Sequence, residues 1–398
     1  MALDLNKIAL QVGGMVARLK DGGEERQKRL DCALDVFNNQ CADLANLAKK
    51  IASSKTTWLV AGLVDGLNQH HAAPPLPPEF TVLATDGSHI DVDRHRSTRC
   101  YLINIGAVIL RYGTYPSAGL DSYPRLFCDD EDLAIAPVTG KGREQLVEGP
   151  LLGIKRSVDE CRQLAELAAS LPPGSTGLAL IDGSLILWGL EAYPEFITEA
   201  LLNKGFLSHL DQMMKLNDRQ LALASYISFP RSTDIVNVLR VALCPHDPPD
   251  CDRYCSTGGN KACDAVNGVQ DQQLLSNVLG PGERSDTFIS ESSIVRKHYG
   301  PHQVHFFYLR VNGEIARVEI PRWVATDKGL LNLVHALLLD QCHRGHGYPV
   351  ALSEAHEKAV VTTADRENFW QLVESSLTRE HMPSLGSAKS RSKRTRWV

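Results

Sequence analysis

The phrase Asp-Gly-Ser occurs twice, each time at the end of an apolar run. Asp86-Gly87-Ser88 follows Thr81-Val82-Leu83-Ala84-Thr85, and Asp182-Gly183-Ser184 follows Leu178-Ala179-Leu180-Ile181. Each run reads as a short buried strand that stops at a carboxylate, with a glycine after it that lets the backbone turn sharply or approach a ligand closely. A carboxylate at the end of a buried strand is costly unless it is paired or bound to a cation. A single copy reads as an ordinary turn. Two copies after two strands open a second reading, in which strand ends assemble a metal site.

The chain around these phrases changes texture once. Residues 1–72 show helical periodicity through Ile8, Val12, Met15, Val16, Leu30, Ala33, Leu34, Val36, Phe37, Leu44 and Leu47, which predicts an N-terminal helical layer. The Pro-rich stretch 73–79 ends it, because successive prolines cannot continue a helix. Strands are then expected at 80–84, 101–111, 177–181 and 221–228, and a hairpin of 304–308 with 315–320 around Asn312-Gly313. Helices are expected at 151–170, 330–342, 353–361 and 366–376. This alternation implies an α/β class protein, a mixed sheet with flanking helices. The organisation expected is a helical layer (1–72), a linker (73–79), one core (80–376) interrupted by an insertion (244–300), and a basic tail (377–398).

Composition excludes several classes. With 43% apolar and 22% charged residues among 398, collagen, coiled-coil rods, bulk disorder and small disulfide scaffolds do not fit. The apolar runs 101–110 and 178–190 are too short, or too interrupted by Asn104, Asp182 and Gly189, for a membrane span of roughly 20 residues. The first residues lack a charged segment leading into an apolar one, so a cytoplasmic location is expected, with the ten cysteines mostly reduced. A net charge of −5, from 42 Lys+Arg against 47 Asp+Glu, argues against a surface that attracts nucleic acid everywhere.

A strong divalent site needs a third carboxylate, and the helix before the second Asp-Gly-Ser offers Asp159, Glu160 and Glu166. Ile154, Val158, Cys161, Ala165 and Ala168 define its apolar face. Glu160 lies beside the edge of that face, while Asp159 and Glu166 fall on the far side. Glu160 is the better candidate, the alternative being an ordinary boundary glutamate. Further on, Ser353 reads as an N-cap that places His356 in the first turn of the following helix. A histidine there is either structural or, in the company of the carboxylates, a metal ligand or general acid/base.

Taken together, Ala84-Thr85-Asp86-Gly87-Ser88, the acidic helix around Glu160, Leu180-Ile181-Asp182-Gly183-Ser184-Leu185, the segment 225–232, Ile320-Pro321-Arg322-Trp323-Val324 and the segment 347–356 resemble the NurA family, nucleases that act with the HerA ATPase in DNA end processing. The resemblance covers about 80 to 370. It implies an RNase H-like core, a manganese- or magnesium-dependent nuclease with 5′-to-3′ exonuclease and single-strand endonuclease activity in double-strand break repair, and a homodimer that encloses DNA and docks on a hexameric HerA-type translocase. Carried over motif by motif, it implies an active-site and metal-binding set of Asp86, Glu160, Asp182 and His356, with Glu166 favoured instead of Glu160 if the alignment slips by two helical turns. It also points to Tyr226 and Ser228 for DNA contact, in a segment where relatives often carry a basic residue and this chain has Arg231. Two other readings stay open: another RNase H-like nuclease acting on RNA or structured DNA, and a non-catalytic adaptor that binds a motor ATPase.

Two features stand apart. Cys244, Cys251, Cys255 and Cys263 fall within 20 residues, dense enough for zinc or an iron–sulfur cluster, yet without the C-x₂-C pair of the strong zinc patterns, so free loop cysteines are the preferred reading and a metal the alternative. The stretch 389–397 carries five cations, Lys393, Arg394 and Arg396 among them, beside Trp397, and reads either as a solvated tail or as a DNA contact.

Overall fold

The computed structural model describes residues 4–39, 43–64, 66–96, 98–137, 142–255 and 261–382. Lys393, Arg394 and Arg396 lie outside these residues. Helix α1 (Leu5–Asp21) starts at Asp4, whose side chain accepts from the amides of Asn6 and Lys7, and α2 (Gly23–Asn39) and α3 (Leu44–Ser53) follow. The helical reading of the first 72 residues therefore runs too far. Among the described residues of 54–72 the regular elements are the short strands Gly62–Leu63 and His70–His71.

Along the chain the sheet elements come next: β1 (Phe80–Ile90), β2 (Tyr101–Tyr112), β3 (Ser117–Phe127), then α4 (Pro150–Ser170), β4 (Thr176–Asp182) and β5 (Gln220–Ile227). Helix α5 (Asp234–Leu243) precedes the hairpin of β6 (Val304–Val311) and β7 (Glu314–Pro321), which turns at Asn312 with φ of 52°. Three helices close the described chain: α6 (Lys328–Arg344), α7 (Val350–Ala359) and α8 (Thr363–Arg379). No helix among the described residues is long and apolar enough to cross a membrane.

The chain divides into two units. Of the described residues, one gathers those within 1–72, 228–292 and 305–318, the other those within 73–227, 293–304 and 319–382. Residues 228–292 and 305–318 thus do not share a single core with residues 80–227, as the sequence suggests. Their apolar side chains, Ile235, Leu239, Phe288, Phe306 and Tyr308, pack with Phe37 and Leu47 of the N-terminal helices instead. Helix α1 takes no part in that core: it buries no residue and exposes Leu5, Leu10, Met15 and Leu19.

In the second unit the strand order is β3-β2-β1-β4-β5, with β1, β2 and β3 antiparallel and β4 and β5 parallel to β1. This mixed sheet with flanking helices is the expected fold class and fits the RNase H-like core implied by the resemblance. Strands β1 and β4 are buried through most of their length, which is why they read as near-continuous apolar runs. Pro150 opens α4 after Gly149, whose φ of 56° makes the turn into the helix. The helix lays Val158, Cys161, Leu164, Ala165 and Ala168 into a core that includes Leu83, Ala179 and Ile181. Strand β3, exposed along almost all of its length, is an edge strand that the sequence reading missed.

Candidate active site

Strand register places the two aspartates side by side. Thr85 pairs with Ile181 in the parallel β1–β4 ladder, so Asp86 and Asp182 occupy the next positions on adjacent strands. Helix α4 is tied to the same level by the Thr85 hydroxyl, which donates to the carbonyl oxygen of Glu160 at 3.0 Å. The first Asp-Gly-Ser phrase does not end its strand as the sequence suggests: it lies inside β1 and pairs with β2, and Glu160 projects against it, since a Cβ on Gly87 would lie 2.6 Å from Glu160 Oε1. Any side chain at position 87 would fill the space the carboxylate uses, a role for this glycine that needs no special backbone angle. Glu166, by contrast, is exposed and paired with Arg162 at 2.6 Å.

The fourth group comes from α7. Asp86 pairs in register with Gly106 of β2, and the absence of a side chain there lets the helix backbone approach the sheet directly. The last turn of α7 is capped by the sheet itself: Ser88 Oγ donates to the Ala359 carbonyl at 2.5 Å, and Asn104 Nδ2 donates to the carbonyls of Lys358 and Ala359. His356 then reaches Asp86, Nδ1 to Oδ2, at 2.7 Å. The expected N-cap at Ser353 is wrong. Pro349 precedes the first turn, Ser353 lies inside the helix, and His356 sits in its last turn.

Asp182 is held from another direction. Tyr348 donates its hydroxyl to Asp182 Oδ1 at 2.8 Å, and its ring meets that of Tyr226 edge-on at 5.5 Å between centroids. Sequence reasoning missed Tyr348, although it stands inside the motif that ends at His356. The signal was a tyrosine before a proline in a turn where His346 and Gly347 have φ of 56° and 121°. Tyr226 is fully buried, so its ring supports Tyr348 and offers DNA no surface, which corrects the expectation for that residue. Ser228 donates to Glu314 at 2.9 Å, while Arg231 is exposed. Asp159, expected on the far side of α4, is buried and paired with Lys155 at 2.7 Å, because the helix is covered beyond its apolar face.

The serines of the two phrases turn out to be structural. Ser88 caps α7, and Ser184 donates to Glu319 Oε2 at 2.8 Å, which also accepts from the Leu185 amide. The Tyr299 hydroxyl completes the second turn, donating to the Leu185 carbonyl and accepting from the Leu187 amide.

Electrostatics mark the cluster. Burial pushes the Glu160 carboxyl up to about 8, with Asp86 and Asp182 adding to the rise and Arg156 opposing it. Asp182 is also raised, first by the protein packed around it and then by Asp86, although the residue is exposed at the strand end; the Tyr348 hydrogen bond opposes that rise. Tyr348 is raised in turn by burial and by Asp182. Like charges that shift one another in this way lie within interaction range.

Among the described residues no group of three or more His, Cys, Asp or Glu side chains is gathered so that it could hold a metal ion. At the carboxylate cluster the reason is visible, since each acid has turned to a partner: Asp86 to His356, Asp182 to Tyr348 and Glu160 to Arg156. The donor set still suits a hard divalent cation. It offers three carboxylates, and Glu160 Oε1 is buried without a hydrogen bond. The cysteine segment makes no such set. Cys251 opens a short helix, Cys251–Tyr254, that Cys255 ends, and both Cys255 and Cys263 lie within electrostatic range of Cys251, but the four thiols are not assembled as ligands, and all the described cysteines are free.

A family model described as the NurA domain matches residues 80–361. The chain belongs to the NurA family. The match spans every element that contributes to the carboxylate cluster, and it places the chain in a family of nucleases. No curated protein matches the chain. Among solved structures, the chain is similar to the protease–reverse transcriptase of prototype foamy virus, at 12% identity and a TM-score of 0.20, covering 39% of this chain and 19% of that one. It is also similar to the C-terminal lobe of a budding yeast Argonaute, at 10% identity and a TM-score of 0.27, covering 77% and 52%. The NurA-family chain thus spans about a fifth and about half of the length of these two structures.

Proposed function

We propose that this NurA-family chain is a divalent-metal-dependent DNA nuclease that processes DNA ends as a cytoplasmic homodimer. In this reading it has 5′-to-3′ exonuclease and single-strand endonuclease activity and works with a hexameric HerA-type ATPase in double-strand break repair. The observation that carries the nuclease reading is the convergence of Asp86, Glu160 and Asp182 from two adjacent strands and a helix, with the Glu160 carboxyl pushed up to about 8. A buried glutamate with two further acids acting on it is costly in the free protein, and a cation offsets that cost. The homodimer and the motor rest on family membership alone.

Asp86, Glu160, Asp182 and His356 would hold Mn²⁺ or Mg²⁺. Bound there, the ion supplies a hydroxide nucleophile and neutralises charge on the phosphate and the leaving oxygen. The chain's own groups do the rest. Tyr348 fixes the orientation of Asp182 through its hydroxyl. Asp86 fixes the His356 ring at Nδ1, which leaves Nε2 of a mostly exposed imidazole to bind the ion or carry a proton.

The test is a Mn²⁺-supplemented assay on end-labelled single-stranded DNA, duplex DNA and RNA, with Asp86→Asn as control. DNA cleavage abolished by Asp86→Asn supports the reading. Cleavage of RNA alone would favour the other nuclease class, and cleavage by Asp86→Asn at the wild-type rate would overturn the site assignment.

A further inference from the structure

Arg156 stands one helical turn before Glu160 on α4, with Nε 3.0 Å from Glu160 Oε1. The pair is loose. Neither Arg156 Nε nor Glu160 Oε1 has a hydrogen-bond partner, and the arginine side chain is 33% exposed while the glutamate is 8% exposed. Both side chains lie against the backbone of β1 at the first Asp-Gly-Ser phrase, since a Cβ on Gly87 would meet Arg156 Cγ at 2.9 Å and Glu160 Oε1 at 2.6 Å. Gly87 therefore makes room for an arginine as well as for a carboxylate.

The positive charge continues along β1. His89 has a buried Nδ1 without a partner, and burial, Arg156 and Arg366 all push its ring toward the neutral form, against Asp91. Arg366, at the start of α8, donates to the His89 carbonyl at 3.4 Å. Arg156 and Arg366 thus both act on His89, three residues along β1 from Asp86. A buried carboxyl is kept neutral by a proton or balanced by a neighbouring cation, and Arg156 is the cation that favours the charged form of Glu160. If a divalent ion takes over that role, the guanidinium is left without a counter-charge at the rim of the site. The planar fork of an arginine then suits two oxygens of a phosphodiester.

We propose that Arg156 is a phosphate-positioning residue: it neutralises Glu160 while the carboxylates have no cation, and turns to a backbone phosphate of the DNA strand when they have one. The inference rests on the nuclease reading above and adds to it the residue that aligns the strand. It has two consequences of opposite sign. Removing the guanidinium weakens the grip on DNA, and it also removes a competitor for Glu160, so a divalent ion binds more tightly.

The experiment compares wild type with Arg156→Gln and Arg156→Lys in two measurements. The first is steady-state cleavage of a fluorescein-labelled single-stranded deoxyoligonucleotide with Mn²⁺ at several salt concentrations. The second is Mn²⁺ binding without DNA, read from the electron paramagnetic resonance signal of the free ion. For Arg156→Gln, KM is expected to rise about tenfold with a smaller change in kcat. The salt slope of log kcat/KM should flatten by about 0.7, the value for one single-strand phosphate contact. The Mn²⁺ dissociation constant should fall by about threefold or more. A merely structural arginine would weaken both interactions, so the opposed directions identify the role. Unchanged KM and salt slope, or weaker Mn²⁺ binding, overturns the inference. If Arg156→Gln does not fold, Arg156→Lys decides, since it keeps the charge and loses the fork: an intermediate rise in KM supports the proposal and a wild-type KM refutes it. A wild-type protein that binds no Mn²⁺ and cuts no DNA would remove the nuclease reading itself.

Discussion

A Cβ on Gly106 would lie 2.1 Å from the carbonyl oxygen of Ala355, closer than any side chain can stand to a backbone. The bare position lets α7 rest on β2 beside Asp86, and His356, the residue after Ala355, meets that aspartate as a result. Gly106→Ala should therefore push the helix off the sheet. Overpacking of this kind costs about 1–3 kcal/mol, and backbone rather than a flexible side chain must yield here. Urea unfolding of the variant should show a loss at the upper end of that range, together with loss of cleavage. A Gly106→Ala protein of wild-type stability would show that α7 is not seated on the strand.

Tyr348→Phe isolates the hydroxyl that holds Asp182. The ring stays against Tyr226, so the fold should survive, while one Asp182 oxygen loses its donor. Groups that orient metal-ligating carboxylates are worth about 10–100-fold in metal affinity or activity. Steady-state cleavage with Mn²⁺ should fall in that range, with an unchanged circular dichroism spectrum. Full activity would mean that Asp182 is oriented without Tyr348.

Much of this arrangement was legible in the sequence, and the exceptions share a physical cause. Burial on both faces demands continuous apolar runs, so β1 and β4 are readable up to their aspartates; β4 ends there, but β1 continues to Ile90 against β2, where the polar phrase Asp86-Gly87-Ser88 hides the rest of the strand. Glu160 was found from the edge of a helical face. Asp159 was misplaced because the helix is covered on more sides than its apolar stripe shows, and Lys155 neutralises the buried acid. The edge strand β3 carries no pattern since almost nothing in it is buried. The serines of the two phrases depend on partners far along the chain, Ala359 for Ser88 and Glu319 for Ser184, and spacing cannot reveal such pairings. A glycine interrupting the apolar run 101–110 was a readable sign of close backbone approach at Gly106.

Another prediction concerns the first unit and pH. Asp271 is fully buried, accepts from the Tyr308 hydroxyl at 2.6 Å and from the amides of Ile235 and Val236 at the start of α5, and its carboxyl is raised to about 6 by burial and by Asp234. An acid raised in the folded state binds its proton more tightly there than in the unfolded chain. Its contribution to stability is complete below the ordinary aspartate value near 4 and is lost as pH rises through about 6. Asp271→Asn keeps an acceptor for the two amides and removes the titration. The stability of the variant relative to wild type should therefore increase between pH 4.5 and 7.5, by an amount on the order of 2 kcal/mol. Parallel urea midpoints for the two proteins across that interval would contradict the assignment.

The N-terminal helix offers a contrast in stability. Helix α1 is well capped, with Asp4 at its start and Arg18 and Lys20 in its last turn, but it buries no side chain. Hydrophobic stabilisation follows area removed from water, and Leu5, Leu10, Met15 and Leu19 remain exposed. Removal of residues 1–21 should leave the unfolding free energy within about 0.5 kcal/mol of the full chain, the range of ordinary surface changes. The core formed by Ala33, Phe37 and Leu47 with α5 stays intact, because the cut falls before α2. Urea unfolding at low protein concentration checks this, and dependence of the full chain's midpoint on protein concentration, absent from the shortened one, would show that the apolar face of α1 is covered by association in solution. A large loss of stability at every concentration would show that α1 packs within its own chain.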